Sequence, residues 1–185
     1  MEHPLAREAR TKMEKSLEAF THELTTIRTG RASVGLLDVV EVEAYGTKMK
    51  INQIATVAAP EARLILVTPW DKTQLGAIEK AILASPLELT PSNDGHVIRI
   101  PIPQLTEDRR KELAKLVGKL AEEARVSVRN IRRHLVDAAK KAQKNGEMPE
   151  DDAHKLMDEI QEITDEFTGK IDEALKAKEE EIMEV

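Results

Sequence analysis

Residues 106–146 read "TEDRRKELAKLVGKLAEEARVSVRNIRRHLVDAAKKAQKNG". Apolar side chains recur at Leu113, Leu116, Val117, Leu120, Ala124, Val128, Ile131, Leu135, Ala138 and Ala142, in steps of three and four that mark one face of an α-helix. Thr106 suits the N-cap, Glu107 and Asp108 suit the positive first turn, and "KNG" at 144–146 provides a basic last turn and a stop. A helix of about 40 residues is about 60 Å long at its usual rise. A compact chain of this size has a radius of gyration of only roughly 16 Å. The helical part must therefore be a rod.

Two further seams flank this one. Residues 4–29 place Leu5, Ala9, Met13, Leu17, Phe20, Leu24 and Ile27 at helical spacing, and the stretch after Pro149 does the same with Leu156, Ile160, Ile163, Phe167, Ile171, Ala174 and Ile182. Each approximates a heptad, so a left-handed three-helix bundle buries all three. Between the first two helices the period changes. Residues 36–57 alternate apolar and polar with a turn at Tyr45-Gly46, 63–70 form a buried strand, and 71–85 form a helix carrying Leu75, Ile78 and Ile82. "SNDG" at 92–95 is a turn and 96–103 a strand ended by prolines. The expected fold class is α+β: a bundle of residues 1–30 plus 106–185, with a small β/α/β domain of residues 31–105 inserted in it. The insert joins the rod twice, and these crossings form a hinge at Gly30, Arg31, Ala32 and Ser33 and at Pro101, Ile102, Pro103 and Gln104.

Composition excludes several function classes. Aromatic residues make up only 2% of the chain, so a module that stacks nucleobases on displayed rings is not expected. Cysteine is absent, which removes disulfides, thiolate nucleophiles and cysteine metal sites. The first residues are charged and hold no apolar signal core, and no apolar run is long enough to cross a bilayer. The expectation is a cytoplasmic protein without a membrane partner.

Charge points to a binding surface. The net charge is −6, yet residues 106–145 carry +6 and residues 150–185 carry −10. Within 125–134, "RVSVRNIRRH", lie Arg125, Arg129, Arg132 and Arg133. Arg125, Arg129 and Arg132 fall roughly 120–150° from the apolar seam by the step of a helix, hence toward solvent or a partner. Arg110 lies about 30 Å up the same helix, and Arg28 and Arg31 are expected close to it. A solvated face laced with ion pairs is the competing account of any charged helix, and helix-end dipole compensation competes for Arg28 and Arg31. Acids are scarce along 124–136, and arginine forks fit phosphate. The expected ligand is structured RNA gripped by backbone and shape.

Catalysis is not expected. The five histidines are scattered without metal-ligand spacing, no glycine-rich phosphate loop follows a strand, and Ser33, Ser85 and Ser92 sit in turns without an evident base. Asp151, Asp152 and His154 could suggest a metal, but acids in a first helical turn more often offset its dipole. No cofactor and no metal are expected. The alternative function is a helical scaffold whose seams pair with a partner coiled coil. It implies self-association, whereas seams buried in one another imply a monomer.

"IRTGRAS" (27–33), "NQIATV" (52–57), "AIEKAI" (77–82), "IRIPIPQLTEDRRKEL" (98–113), "EEARVSVRNIRR" (122–133) and "EITDEF" (162–167) occur in that order from end to end. In these segments the chain resembles the bacterial ribosome-recycling factors. The resemblance implies an L-shaped molecule with a three-helix arm lying along large-subunit rRNA in the intersubunit space. It also implies elongation factor G as partner, whose GTP hydrolysis helps split the post-termination ribosome so that mRNA and deacylated tRNA leave. The family's rRNA-contacting arginines fall on Arg110, Arg129 and Arg132, with Arg28 and Arg31 near the hinge. Two departures stand out: His134 where relatives commonly have an acid, and "MPEDD" where they often have a serine cap.

Overall fold

A computed structural model describes residues 1–184. Three long helices, α1 (Pro4–Thr25), α3 (Glu107–Lys144) and α4 (Glu150–Met183), are joined by a segment containing β1 (Glu41–Ala44), β2 (Thr47–Lys50), β3 (Ala55–Glu61), β4 (Leu64–Pro69), α2 (Leu75–Ala84), β5 (Ser92–Asn93) and β6 (Ile98–Pro101). The chain divides into two compact units. The first holds Met1–Leu24 and Lys111–Glu180; the second holds Thr25–Arg110 and the residues from Glu181 on.

The first unit is built from side-chain seams. Ala6, Ala9, Met13 and Phe20 of α1, Val117, Ala121, Val128 and Ala139 of α3, and Ile160, Phe167 and Ile171 of α4 are all buried. Each helix pair also shares a polar contact. Arg10 donates to Glu166 at 3.0 Å, the Ser16 and Ser127 hydroxyls meet at 2.9 Å, and Arg125 reaches Asp172. The α3–α4 turn is made by Gly146 at φ +74, with Glu147 N–H donating to Ala142 C=O and Gly146 N–H to Gln143 C=O. These two bonds form a Schellman motif, which needs the left-handed backbone that glycine adopts without a Cβ clash. Thr106 caps α3 through its Oγ1, which accepts from Arg109 N–H at 3.1 Å. Pro149 directly precedes α4, and its carbonyl accepts from Ala153 N–H at 3.0 Å; a proline side chain offers no acceptor for a cap.

In the second unit β1 and β2 form a hairpin, and β3, β4, β6 and β5 form an antiparallel sheet in that order. Ile65, Val67, Ile98 and Ile100 face one side of the sheet and share a core with Ile78 and Ile82 of α2 and with Val42 and Ala44 of β1. Two local expectations change here. Val34–Val39 forms a 3₁₀ turn instead of extended chain, closed by Leu36 N–H on Ser33 C=O and Val40 N–H on Leu37 C=O. Ser92–Asn93, expected as turn, pairs with Ile98–Arg99 as an edge strand, and the chain reverses over Asp94–Val97, with Gly95 at φ +88.

The residues expected as hinge all lie within the second unit. Ala32 N–H donates to Ala62 C=O at 2.7 Å and Ile102 N–H to Arg63 C=O at 2.8 Å, so both crossings are fastened to the β3–β4 turn. Thr29 is buried and donates to Glu181 at 2.8 Å. Gly30 lies beside Leu105, and the Gln104 amide faces the Arg63 guanidinium.

Candidate nucleic-acid interface

Four of the candidate arginines lie on α3 within the first unit. The buried line of α3 there runs through the expected Leu113, Val117, Ala124, Val128 and Leu135 and through Ala121 and Ala139, whereas Leu116 is exposed and Ile131 only half-buried. Small alanines thus occupy three of the buried positions, and Ala121 and Ala139 rotate the seam toward Arg125 and Arg132 relative to the sequence expectation. Both arginines border the seam instead of standing well clear of it.

Their partners separate the four. The Arg125 side chain is only 21% exposed; its Nε and Nη2 donate to Asp172 Oδ1 at 2.8 and 2.7 Å, and its Nη1 to Glu122 at 3.1 Å. The carboxylate hydrogen bonds, Asp172 first, raise the Arg125 pKa above its ordinary value. Arg125 therefore ties α3 to α4, with its charge offset twice. Arg129 is more exposed and donates to the other oxygen of Glu122 at 3.2 Å. Hydrogen bonds from Arg125 and then Arg129 hold the Glu122 carboxyl below its usual range. Arg132 donates to the neutral amide oxygen of Gln161 at 3.3 Å, and Gln161 in turn donates to Asp165 at 2.9 Å. An amide orients a guanidinium without cancelling its charge. Arg133 is exposed and has no partner among the described residues. The uncompensated positive charge of this segment therefore lies at Arg132 and Arg133.

Sequence reasoning centred on arginine passed over the lysines. Lys115 and Lys140 are exposed on the same side of α3 as Arg129 and Arg133, by the roughly 100° step per residue. Their seven-, eleven- and fourteen-residue spacings were a usable signal, since such intervals return to nearly the same face of a helix.

Arg28, Arg31 and Arg110 belong to the second unit and are described with it. Arg31 is exposed and donates to Glu184 at 3.3 Å. Arg28 and Arg110 are each half-buried, with Arg28 Nη1 and Arg110 Nε buried and without a hydrogen-bond partner among the described residues. No cluster of three or more metal-ligating side chains occurs among the described residues, and no helix among them is long and apolar enough to cross a membrane.

Comparison with known proteins agrees on one family. The family model described as "Ribosome recycling factor" matches residues 20–183. The chain is 54% identical to the ribosome-recycling factor of Bacillus licheniformis and 51% identical to that of Bacillus subtilis, in each case over 185 residues and the full length of both chains. Among solved structures, a solution structure of the ribosome recycling factor superposes with a TM-score of 0.81 at 39% identity, covering both chains fully. A second structure is described as models for the T. thermophilus ribosome recycling factor and the E. coli elongation factor G bound to the E. coli post-termination complex. It gives a TM-score of 0.71 at 49% identity over 97% of each chain. With a matching model over most of its length and relatives above half identity end to end, the chain belongs to the ribosome-recycling factor family.

Proposed function

We propose that this chain recycles ribosomes after translation termination: it binds the large subunit in the intersubunit space and, with elongation factor G, splits the ribosome so that mRNA and deacylated tRNA are released. GTP is hydrolysed by that factor, and the chain works without a cofactor, as a binding protein and not an enzyme, in the cytoplasm and as a monomer. The helical unit supplies the rRNA contacts through Arg132, Arg129, Arg133 and Arg125, and Arg110, Arg31 and Arg28 extend them. The crossings at residues 30–33 and 101–104 serve as the hinge of the small domain, with Ala32 and Ile102 anchoring its small-domain side.

The observation that carries the RNA-binding part is the exposed cationic line on α3. Arg132 is oriented by an uncharged partner and Arg133 is exposed, which leaves forked donors for phosphate oxygens at little desolvation cost. A helical scaffold would need apolar seams to offer a partner, but Val117, Val128, Ile160 and Phe167 are at most 1% exposed. The deciding experiment is splitting of post-termination ribosomes by the purified protein, with and without elongation factor G and GTP. Splitting that requires all three components is expected. Failure to split, with no binding to large subunits, would overturn the reading.

A further inference from the structure

One acidic side chain stands in the cationic line of α3. By the helical step, Lys111, Lys115, Arg129, Arg133 and Lys140 fall within a sector of roughly 40°. Glu122 is the one acid of α3 in that sector, flanked along the helix by Lys115 and Arg129. It does not point away from them. Its Oε1 accepts from Arg129 and its Oε2 from Arg125, which is itself fixed to Asp172 on α4. Asp172, Arg125, Glu122 and Arg129 thus form a chain of alternating charges running from α4 to the exposed line, with a net charge of zero.

We propose that Glu122 is a positioning residue and internal counter-ion of the RNA-facing line: it holds Arg129 in place and competes with backbone phosphate for it, and so sets the strength and salt sensitivity of RNA binding. The proposal rests on the ribosome-binding reading above. Two opposed effects follow from the same side chain. As an acceptor, Glu122 fixes one nitrogen of Arg129, which lowers the entropy lost when the remaining donors meet a phosphate. As an anion, it lies roughly 6 Å from any phosphate on Arg129, and like charges at that separation weaken binding about threefold in water and more where water is excluded. The charge outweighs the positioning, because ordering a single exposed side chain brings little while the repulsion grows as the interface dries. A protein that must leave the ribosome after each round gains from grip that is limited in this way.

Two substitutions separate the effects. Glu122→Gln keeps a side-chain oxygen for Arg129 and removes the charge; Glu122→Ala removes both. The probe is the isolated large ribosomal subunit, titrated with the full-length protein at salt between about 50 and 200 mM. Glu122→Gln should bind three- to tenfold more tightly than the unaltered protein at the lowest salt. Its plot of log affinity against log salt should be steeper by about one unit or somewhat less. Glu122→Ala should bind less tightly than Glu122→Gln. Substituting a merely structural residue would not raise affinity, and circular dichroism checks that α3 persists in both variants. Binding by Glu122→Gln equal to or weaker than that of the unaltered protein at every salt would overturn the proposal. Should that happen while the unaltered protein binds and Arg129→Ala weakens it, the ribosome-binding reading stands and only the role of Glu122 falls. If the unaltered protein does not bind large subunits at all, both fall together.

Discussion

The two units of this protein are stabilised by different means. The helical unit depends on long rows of buried side chains, and few backbone bonds outside its helices matter to it. The small unit depends on turns and backbone pairing. Its hairpin requires positive φ at Tyr45 and Gly46, its crossings are bonded to the β3–β4 turn, and Asp94 Oδ1 accepts from the N–H groups of His96 and Val97. Surface side chains follow suit. On α3 the exposed Arg129 and Arg133 close no turn, whereas half-buried Asp71 and exposed Asp94 of the small unit accept the backbone N–H bonds that close its turns. Binding chemistry is therefore separable from stability on the helical unit and entangled with it on the small one.

The largest expected effect tests whether the units are thermodynamically distinct. Phe167 is 1% exposed, with the Lys170 ammonium 4.8 Å from its ring centre. Phe167→Ala should lower the stability of the helical unit by about 3–5 kcal/mol, the usual loss for truncating a buried aromatic ring. The single tryptophan, Trp70, lies in the small unit. Urea unfolding followed by circular dichroism should therefore shift to lower urea, while the Trp70 fluorescence transition stays in place. Should both signals move together, the units fold as one and the distinction has no energetic content.

A smaller effect separates two arginines that look alike in sequence. Arg132→Ala removes a half-buried side chain whose one bond is to a neutral amide, and should lower stability by no more than about 0.5 kcal/mol. It should weaken large-subunit binding about tenfold and flatten its salt dependence by about one unit of slope, as loss of a phosphate contact does. Arg125→Ala should lower stability by about 0.5–1 kcal/mol, because it removes a partly shielded tie between α3 and α4. Its effect on binding should be the weaker of the two. The reverse order of binding losses would mean that Arg125 leaves Asp172 to meet RNA, and that the tie is not kept in the complex.

The same contrast explains what could be read from the sequence. Seams survive translation into structure because a buried helix face repeats every three or four residues; Met13, Phe20, Val128, Ile160 and Phe167 were all legible and are all buried. The seam of α3 was misplaced by a fraction of a turn, since Ala121 and Ala139 looked neutral while Leu116 and Ile131 looked apolar. Close helix approach selects small residues, and the choice depends on neighbouring helices that one sequence segment cannot display. In the small unit, Tyr45-Gly46 was legible from local turn chemistry. Ser92–Asn93 was not, because its polar residues carry turn chemistry and nothing in their own pattern marks the pairing with β6 that follows within a few residues. For the candidate site, the arginines were legible as a set but not in their differences. Glu122 stands three residues before Arg125, a spacing visible in the sequence. Asp172 is 47 residues away, and only the packing of α4 on α3 brings it to Arg125.

The smallest expected effect concerns Tyr45, one of two non-glycine residues, with Glu88, that the small unit holds at positive φ. Tyr45 holds φ +52 in a two-residue hairpin turn, with Gly46 at +77, and the residue is 65% exposed. Such turns favour asparagine before glycine, and a bulky side chain in the left-handed region is disfavoured by roughly 1 kcal/mol or more. Against this stands one bond: Tyr45 Oη donates to Asp71 Oδ2 at 2.8 Å. Water competes for both partners of so exposed a bond, so it contributes little, and little ring area is lost on replacement. Tyr45→Asn should therefore stabilise the small unit by about 0.5 kcal/mol, read from the Trp70 fluorescence transition in urea. Acid behaviour supplies a second check. The Asp71 carboxyl is held below its ordinary value by the Thr73 hydroxyl first, then the Thr73 N–H, then Tyr45. A depressed carboxylate contributes stability above its unfolded pKa of about 4 and loses it as pH falls through the folded value. Since both Thr73 bonds remain in Tyr45→Asn, the acid limb of stability should rise only slightly in pH. A loss of 0.5 kcal/mol or more at neutral pH, or an acid limb displaced by about a full unit, would show that the Tyr45–Asp71 bond, and not the backbone of the turn, governs this end of the small unit.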